Sequence, residues 1–491
     1  MPAPEDSAGI QFVEADGKRS SQRAAKAVFA AAVRGVDADL AQRIEAASDW
    51  RKGYVAPVRQ VVEAGARSQV AATRIAHDGL DALRRNVVFG HDGEDVSLDD
   101  AFAAERPDGF ETRSVSGAGE RETALVVPYD GDELRGDGLL RQIDLWQQRR
   151  VLEPSCAEAL RLVVRNPGWL ELDVRTFAIL GASSEMGPTG PLSRWGAHIV
   201  AVDLPRRSLW DHIVRLARDG TGTLSIPVRV GATSDDLTSS AGMDLLVEAP
   251  PTAQWLASFE RDMTVGNYVY ADGANFVRLA AAADAVVSQL LGRRGGNSVA
   301  YLATPTDVYA VPEEVAADAT SRAKKRTTLR AISRGRLYAR NYDRLVSGEG
   351  GRRWGISDAL MPIQGPNYAL AKALQRWRAM SSRDSGRVCS ANVAPASRTA
   401  SVTKNRLLAA AYRGAPSFGV EIFDPATTRV LMAALLVHDL RNPQAAAQPE
   451  TSLGHPFDLF VDSALHGGIW SLPYEARSIL PLGLVTGLVK R

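Results

Sequence analysis

The sequence predicts a doubly wound α/β fold with an N-terminal, mainly helical domain, and three observations carry the prediction. From Thr176 onward, apolar runs of strand length alternate with helical segments, as in a parallel sheet covered on both faces. Before that point, from Ser20 to about Arg85, Ala, Arg and Glu recur with apolar residues at helical spacing. The first strand of the alternating part ends in a glycine-bearing turn, FAILGASSEMG, where such a sheet presents backbone N–H groups to a ligand. The 491 residues, 45% hydrophobic and 23% charged, suffice for one large core and an appended domain. The expected division is a helical domain with a short β-containing connector over 1–172 and the sheet domain over 173–491.

Taken in order, AAKAVFAAAV and VAATRIAHDGLDALRRNVV read as two or three amphipathic helices. HDGEDVSLDD and AERPDG make a turn-rich break, followed by the β-prone runs FETRSV and ETALVVPY and a helix over about 139–164. Strands are expected at 176–180, 198–202, 228–230, 245–248, 300–303 and 389–393. Helices are expected at 274–291, 367–380, 404–412 and 426–440, and FDLFV is read as a last strand.

Composition excludes several classes. The net charge of +1 gives no global signal for nucleic acid. Cys156 and Cys389 form no CxxC pair, which argues against a disulfide framework and fits a reducing cytoplasm. The seven histidines show no metal spacing and no GxxxxGK[ST] loop exists. His466 in ALHGGIWSLPY reads as part of a structural turn. No run reaches the ~20 apolar residues of a spanning helix. The apolar tail 479–489 is read as packing within the protein or an oligomer, with a membrane surface as the weaker alternative.

In the turn, Gly181 allows the tight bend, Ser183, Ser184 and Met186 lie between it and Gly187, and Gly187 lets the next helix pack closely. Asp203 ends the following strand, where a carboxylate can accept the hydroxyls of an adenosine ribose. GPNYALAK places Tyr368 and Lys372 at i, i+4 on one helix face.

These motifs, in this order, resemble the short-chain dehydrogenase/reductase family over about residues 175–470. GASSEMG is similar to that family's GASSGIG turn, with Glu185 in place of the central Gly; YxxxK matches its catalytic pair, and VCSANVAPASRT is similar to its sixth strand and cofactor loop. The resemblance implies a Rossmann-type sheet binding NAD or NADP, with Tyr368 as acid/base and Lys372 lowering the phenol's pKa and holding the nicotinamide ribose. It implies Thr304, with Thr306 second, as the hydroxyl orienting the substrate, Asn275 as a water-holding group, and Pro395 and Thr399 in the cofactor loop. It also implies a homo-oligomer. Asp203 and Glu185 favour NAD, whereas Arg206 and Arg207 favour NADP. The family's NNAG after the fourth strand is replaced by EAPP at 248–251.

Thr304 and Tyr368 stand 64 residues apart, because a basic insertion over about 310–365 separates them. Between 321 and 353 it carries eleven Lys and Arg residues, including Arg322, Lys324, Lys325, Arg326, Arg344, Arg352 and Arg353, against Asp343 and Glu349. A solvated basic face is the first reading; a handle for coenzyme A or an acidic carrier protein is the second. The expected function is interconversion of a carbonyl and an alcohol on a small apolar or acyl substrate. The alternatives are cofactor-assisted epimerisation or elimination, and a dinucleotide-binding protein without chemistry.

Overall fold

The computed structural model describes residues 8–104, 109–231, 236–323, 327–334 and 336–489. Its centre is a seven-stranded sheet whose strands, numbered along the chain, are β1 (Phe110–Ser116), β2 (Thr176–Leu180), β3 (His198–Val202), β4 (Thr223–Arg229), β5 (Met263–Asn267), β6 (Ser298–Ala303) and β7 (Cys389–Val393). The order across the sheet is β7-β6-β5-β2-β3-β4-β1. All neighbours from β7 to β4 run parallel, and β1 closes one edge antiparallel to β4. The order reverses at β2, so the crevice at the carboxyl ends of β2 and β5 is the topological switch point, compatible with a Rossmann-like fold.

Period-two alternation sends Phe177, Ile179, Ile199 and Ala201 into one core and Ala178, Leu180, Val200 and Val202 into another on the opposite face. The first face is covered by helices Arg207–Arg218, Pro154–Arg165 and Pro425–Arg441. The second is covered by Ala274–Arg293 and Gly365–Asp384, and over these lie Ser21–Arg34 and Gln69–Asn86. Ser20 and Ser68 cap the two N-terminal helices by accepting from Arg23 N and Ala71 N. The expected helices therefore form, but they pack directly on the tyrosine-bearing helix. Phe29 meets Trp377 edge-on with 5.7 Å between ring centroids, and Gly79 lies so close to Trp377 that a Cβ would approach its ring to 2.5 Å. FETRSV belongs to the sheet itself, as β1.

Five expectations are corrected. Residues 245–248 are not a strand: MDLLVEA opens helix Leu245–Ala257, which Asp244 caps by accepting from Leu246 N at 2.9 Å. A short apolar run does not distinguish a strand from a buried helix, and the cap decides it here. The fourth parallel strand is instead β5, whose Gly266 and Asn267 dilute the apolar signal. The helix expected over 139–164 is two, Gly136–Gln148 and Pro154–Arg165, separated where Arg150 takes φ +57°. FDLFV gives helix Asp458–Val461, and of ETALVVPY only Val127–Tyr129 forms a strand. The third strand, placed at 228–230, spans Thr223–Arg229.

The insertion folds as a three-stranded antiparallel sheet of Val308–Pro312, Val346–Ser347 and Arg353–Asp358, with helix Glu313–Ala323 against it. One helix among the described residues, Ala274–Arg293, is long and apolar enough to cross a membrane, and it is mostly buried inside the protein.

Candidate active site at the carboxyl end of the sheet

Parallel strands deliver their carboxyl ends to one side of the sheet, so Gly181 after β2, Tyr268 after β5, Thr304 after β6 and Ala394 after β7 lie on one edge. Gly181 takes φ +81°, and a Cβ there would approach Tyr268 O to 3.0 Å, so both its conformation and its space favour glycine. Its N–H bonds to Val202 O at 2.9 Å, tying the turn to β3. The Asp203 carboxylate accepts from Ser183 N at 2.7 Å and from Leu204 N at 2.8 Å, one bond to each oxygen. Each oxygen keeps a further acceptor site. Ser184 and Gly187 complete the turn through Ser184 N to Gly181 O and Gly187 N to Ser184 O. The helix that follows, Thr189–Arg194, has only six residues.

Glu185 turns away from the turn. Its carboxylate accepts from Ala400 N at 2.8 Å, while its carbonyl accepts from Arg429 Nε at 2.9 Å and Nη2 at 2.6 Å. The loop after β7 is thereby latched to the glycine turn, and the guanidinium of Arg429 stands against the carboxylate-bearing residue. Arg429 lies in the middle of helix Pro425–Arg441, and its distance in sequence hides the pairing. The N–H groups of Glu185 and Met186 take no acceptor among the described residues.

At the other end of the crevice, the Tyr368 hydroxyl donates to Thr304 Oγ1 at 3.1 Å, and Thr304 Oγ1 shares a hydrogen bond of 3.1 Å with Thr306 Oγ1. Lys372 Nζ donates to Gln375 Oε1 at 3.0 Å. Phe276 joins the pair: its ring centroid is 5.9 Å from that of Tyr368 and 5.8 Å from Lys372 Nζ. A small cavity beneath is lined by Tyr301, Thr304, Asp307, Lys372, Gln375 and Arg376. Asp307 and Arg376 form a buried ion pair. The Tyr301 hydroxyl is buried with no hydrogen-bond partner among the described residues.

Burial pushes the Tyr368 phenol up to about 12, against the smaller lowering effects of the Thr304 and Thr306 hydroxyls. Burial also brings the Lys372 ammonium down to about 8, so it ionises less readily than an ordinary lysine. The phenol's pKa is thus raised by burial rather than lowered as the resemblance implied, and the ammonium is turned to Gln375.

The structure brings together Tyr368, Lys372, Thr304 and Thr306, and separately Gly181, Ser183, Ser184, Gly187 and Asp203. Asn275 does not join either group: it is exposed in the first turn of its helix, and its Oδ1 accepts from Arg278 Nη1 at 3.1 Å. Its neighbour Phe276 is the residue that faces the site. Pro395 is buried beneath the latched loop, and Thr399 shares a hydrogen bond with Ser401 at the loop's outer side. EAPP does not follow the fourth parallel strand; YVYA, 268–271, does. Glu248 there is buried, paired with Arg229 and accepting from Asp244 N. His466 is a buried structural group, bonded to Glu153 Oε1 at 2.9 Å and stacked on Trp470.

Four of the insertion's basic residues pair with carboxylates of the chain. Arg344 pairs with Glu63 at 2.7 Å, Arg353 with Glu313 at 2.9 Å and Arg322 with Asp318 at 2.8 Å, while Arg352 pairs with Asp458 and lies 3.8 Å over the Trp354 ring. Lys324, Lys325 and Arg326 lie outside the described residues. Compared with known proteins, the chain matches no family model and no curated protein.

Proposed function

We propose that this chain is an NAD(P)-dependent oxidoreductase of the short-chain dehydrogenase/reductase type that interconverts a carbonyl and an alcohol. The observation that carries the reading is the 3.1 Å bond from the Tyr368 hydroxyl to Thr304 Oγ1. It joins two residues 64 apart in sequence, on the strand edge that also bears the glycine turn, with Lys372 one helical turn beyond. An accidental YxxxK on a solvated surface has no reason to meet a strand-end hydroxyl.

The donor set suits a dinucleotide. Asp203 keeps acceptor capacity for ribose hydroxyls, the free N–H groups of Glu185 and Met186 with Arg429 suit a pyrophosphate, and Lys372, whose hydrogen-bond partner is a neutral amide, suits the second ribose. Glu185, with its carboxylate committed to Ala400 N–H, does not oppose phosphate at close range. NAD is favoured over NADP because Arg207 is held by Asp236 at 2.8 Å. The nicotinamide supplies the hydride acceptor or donor.

The residues of the chain do the rest. Thr304 orients the substrate oxygen; Tyr368, held protonated, donates to that oxygen as a carbonyl is reduced and takes the proton back in the reverse direction. The Lys372 ammonium holds the nicotinamide ribose, a contribution lost as pH rises through about 8. The purified protein is tested with NADH and a panel of apolar aldehydes and ketones. The reading predicts NADH oxidation that falls above about pH 8 and is lost in Tyr368→Phe; full activity in Tyr368→Phe would remove it.

A further inference from the structure

Helices Arg406–Gly414 and Ala476–Val489 pack tightly on one another, with Gly414 against the backbone of Gly483 and Gly487 against that of Ala410. Close packing consumes their small-residue faces and leaves a second face of the pair in solvent. On it stand Leu407 at 62% exposure, Val485 at 60%, Leu488 at 58% and Val489 at 79%. Ile363 and Tyr270 are also exposed, at the entry to the Tyr368 helix and beside Phe276. Val485, Leu488 and Val489 recur at helical spacing, so one side of the last helix carries an exposed apolar stripe.

The pair borders the candidate site. Tyr412, in the first helix, packs against the same buried cluster as Tyr368, and the chain entering that helix is latched to Glu185 at Ala400. Charge sets the occupant. Residues 399–420 and 476–489 contain no Asp or Glu, but they carry Lys404, Arg406, Arg413 and Arg477. Arg477 is taken by Asp358 at 2.6 Å, and Arg413 bonds Gly487 O, whereas Lys404 and Arg406 are exposed. A second copy docked on this face about a two-fold axis would set Lys404 and Arg406 near their own copies without an acid on the patch to answer them. An anionic lipid surface offers both an apolar layer for the stripe and negative headgroups for the rim.

We propose that this helix pair is a membrane-docking surface, by which the protein rests on an anionic bilayer with the mouth of the Tyr368 site against the lipid. An apolar substrate reaches the site from that side; this consequence rests on the oxidoreductase reading, while the docking surface does not.

The test is flotation of the full-length protein with phosphatidylcholine vesicles and with vesicles containing phosphatidylglycerol, at low and high salt, beside sedimentation velocity without lipid. The proposal predicts binding to the anionic vesicles at least about tenfold tighter than to the neutral ones and weakened by salt. Val485→Glu/Leu488→Glu should abolish it, and Lys404→Glu/Arg406→Glu should weaken it about tenfold or more. All four positions are exposed, so the thermal transition should stay in place and a loss would not reflect unfolding. Binding unchanged in Val485→Glu/Leu488→Glu, equal binding to both vesicles, or no vesicle binding with a dimer that Leu488→Glu dissolves would each overturn it, the last by assigning the face to a second copy. Vesicle binding without NADH turnover would leave the docking surface standing and remove the oxidoreductase reading.

Discussion

Lys372 is a half-buried ammonium whose one hydrogen-bond partner is a neutral amide, and that makes it costly to the fold. Its pKa of about 8 in the folded state lies below its ordinary value, so the unfolded chain binds more protons between about pH 8 and 10.5 and stability should rise across that window. Below about 8 both states are protonated and the folded state bears a constant cost. Lys372→Met keeps the volume without the charge and should stabilise the protein at pH 7 by ~1–3 kcal/mol, allowing for its partial exposure. Thermal melts of both proteins across pH 6–10 check this, and wild-type and variant stabilities that stay parallel throughout would contradict it. The stability lost by retaining the lysine fits a residue kept for binding or catalysis. Tyr368, Lys372 and Thr304 could be found in the sequence because a one-turn spacing and a strand end are local signals. Arg429, Phe276 and Tyr412 could not, because only the tertiary fold brings their segments to the site.

At the scale of elements, the glycine turn is determined by backbone and by one carboxylate. Gly181→Ala introduces a Cβ at φ +81° and 3.0 Å from Tyr268 O, and should cost about 1–3 kcal/mol in a denaturant melt. Asp203→Ala removes the acceptor of Ser183 N–H as well as any ribose contact, and should weaken NADH binding by about 1–3 kcal/mol in a fluorescence titration. Unchanged affinity would mean that the carboxylate serves the turn alone. Strands such as TFAIL and HIVAV were legible because fully buried parallel strands are continuous apolar runs bounded by polar turns. MDLLVEA carried the same signal yet formed a helix, because Asp244 caps it and a pattern that short fits either structure. MTVGN gives a weak strand signal because a central strand flanked by neighbours on both sides tolerates glycine and a buried asparagine.

For the whole molecule, the N-terminal helices are part of the covering of one sheet face. Phe29, Val33, Leu80 and Leu83 belong to the same buried cluster as Val287, Leu374 and Trp377. Composition showed these segments to be helical and amphipathic, but amphipathicity does not say which partner the apolar face meets. A chain lacking residues 1–104 should therefore expose that face and lose its cooperative thermal transition, and a truncated protein that melts as sharply as the full chain would contradict this packing account. The insertion shows the same limit: its basic residues read first as a solvated face and second as a handle for an anionic ligand, whereas Glu63 and Asp458 answer Arg344 and Arg352 from other parts of the chain and Glu313 answers Arg353 from within the insertion.

The central claim is that one crevice, from the Gly181 turn to Tyr368 and Lys372, holds a nicotinamide dinucleotide. Isothermal titration of NADH into the wild type, Tyr368→Phe and Lys372→Ala tests it without knowledge of the substrate. The account predicts saturable one-site binding to the wild type, nearly the same affinity in Tyr368→Phe, and a loss of about tenfold or more in Lys372→Ala, where a charge-assisted contact to the ribose disappears. No binding to a folded wild type, or equal affinity in all three proteins, would contradict it.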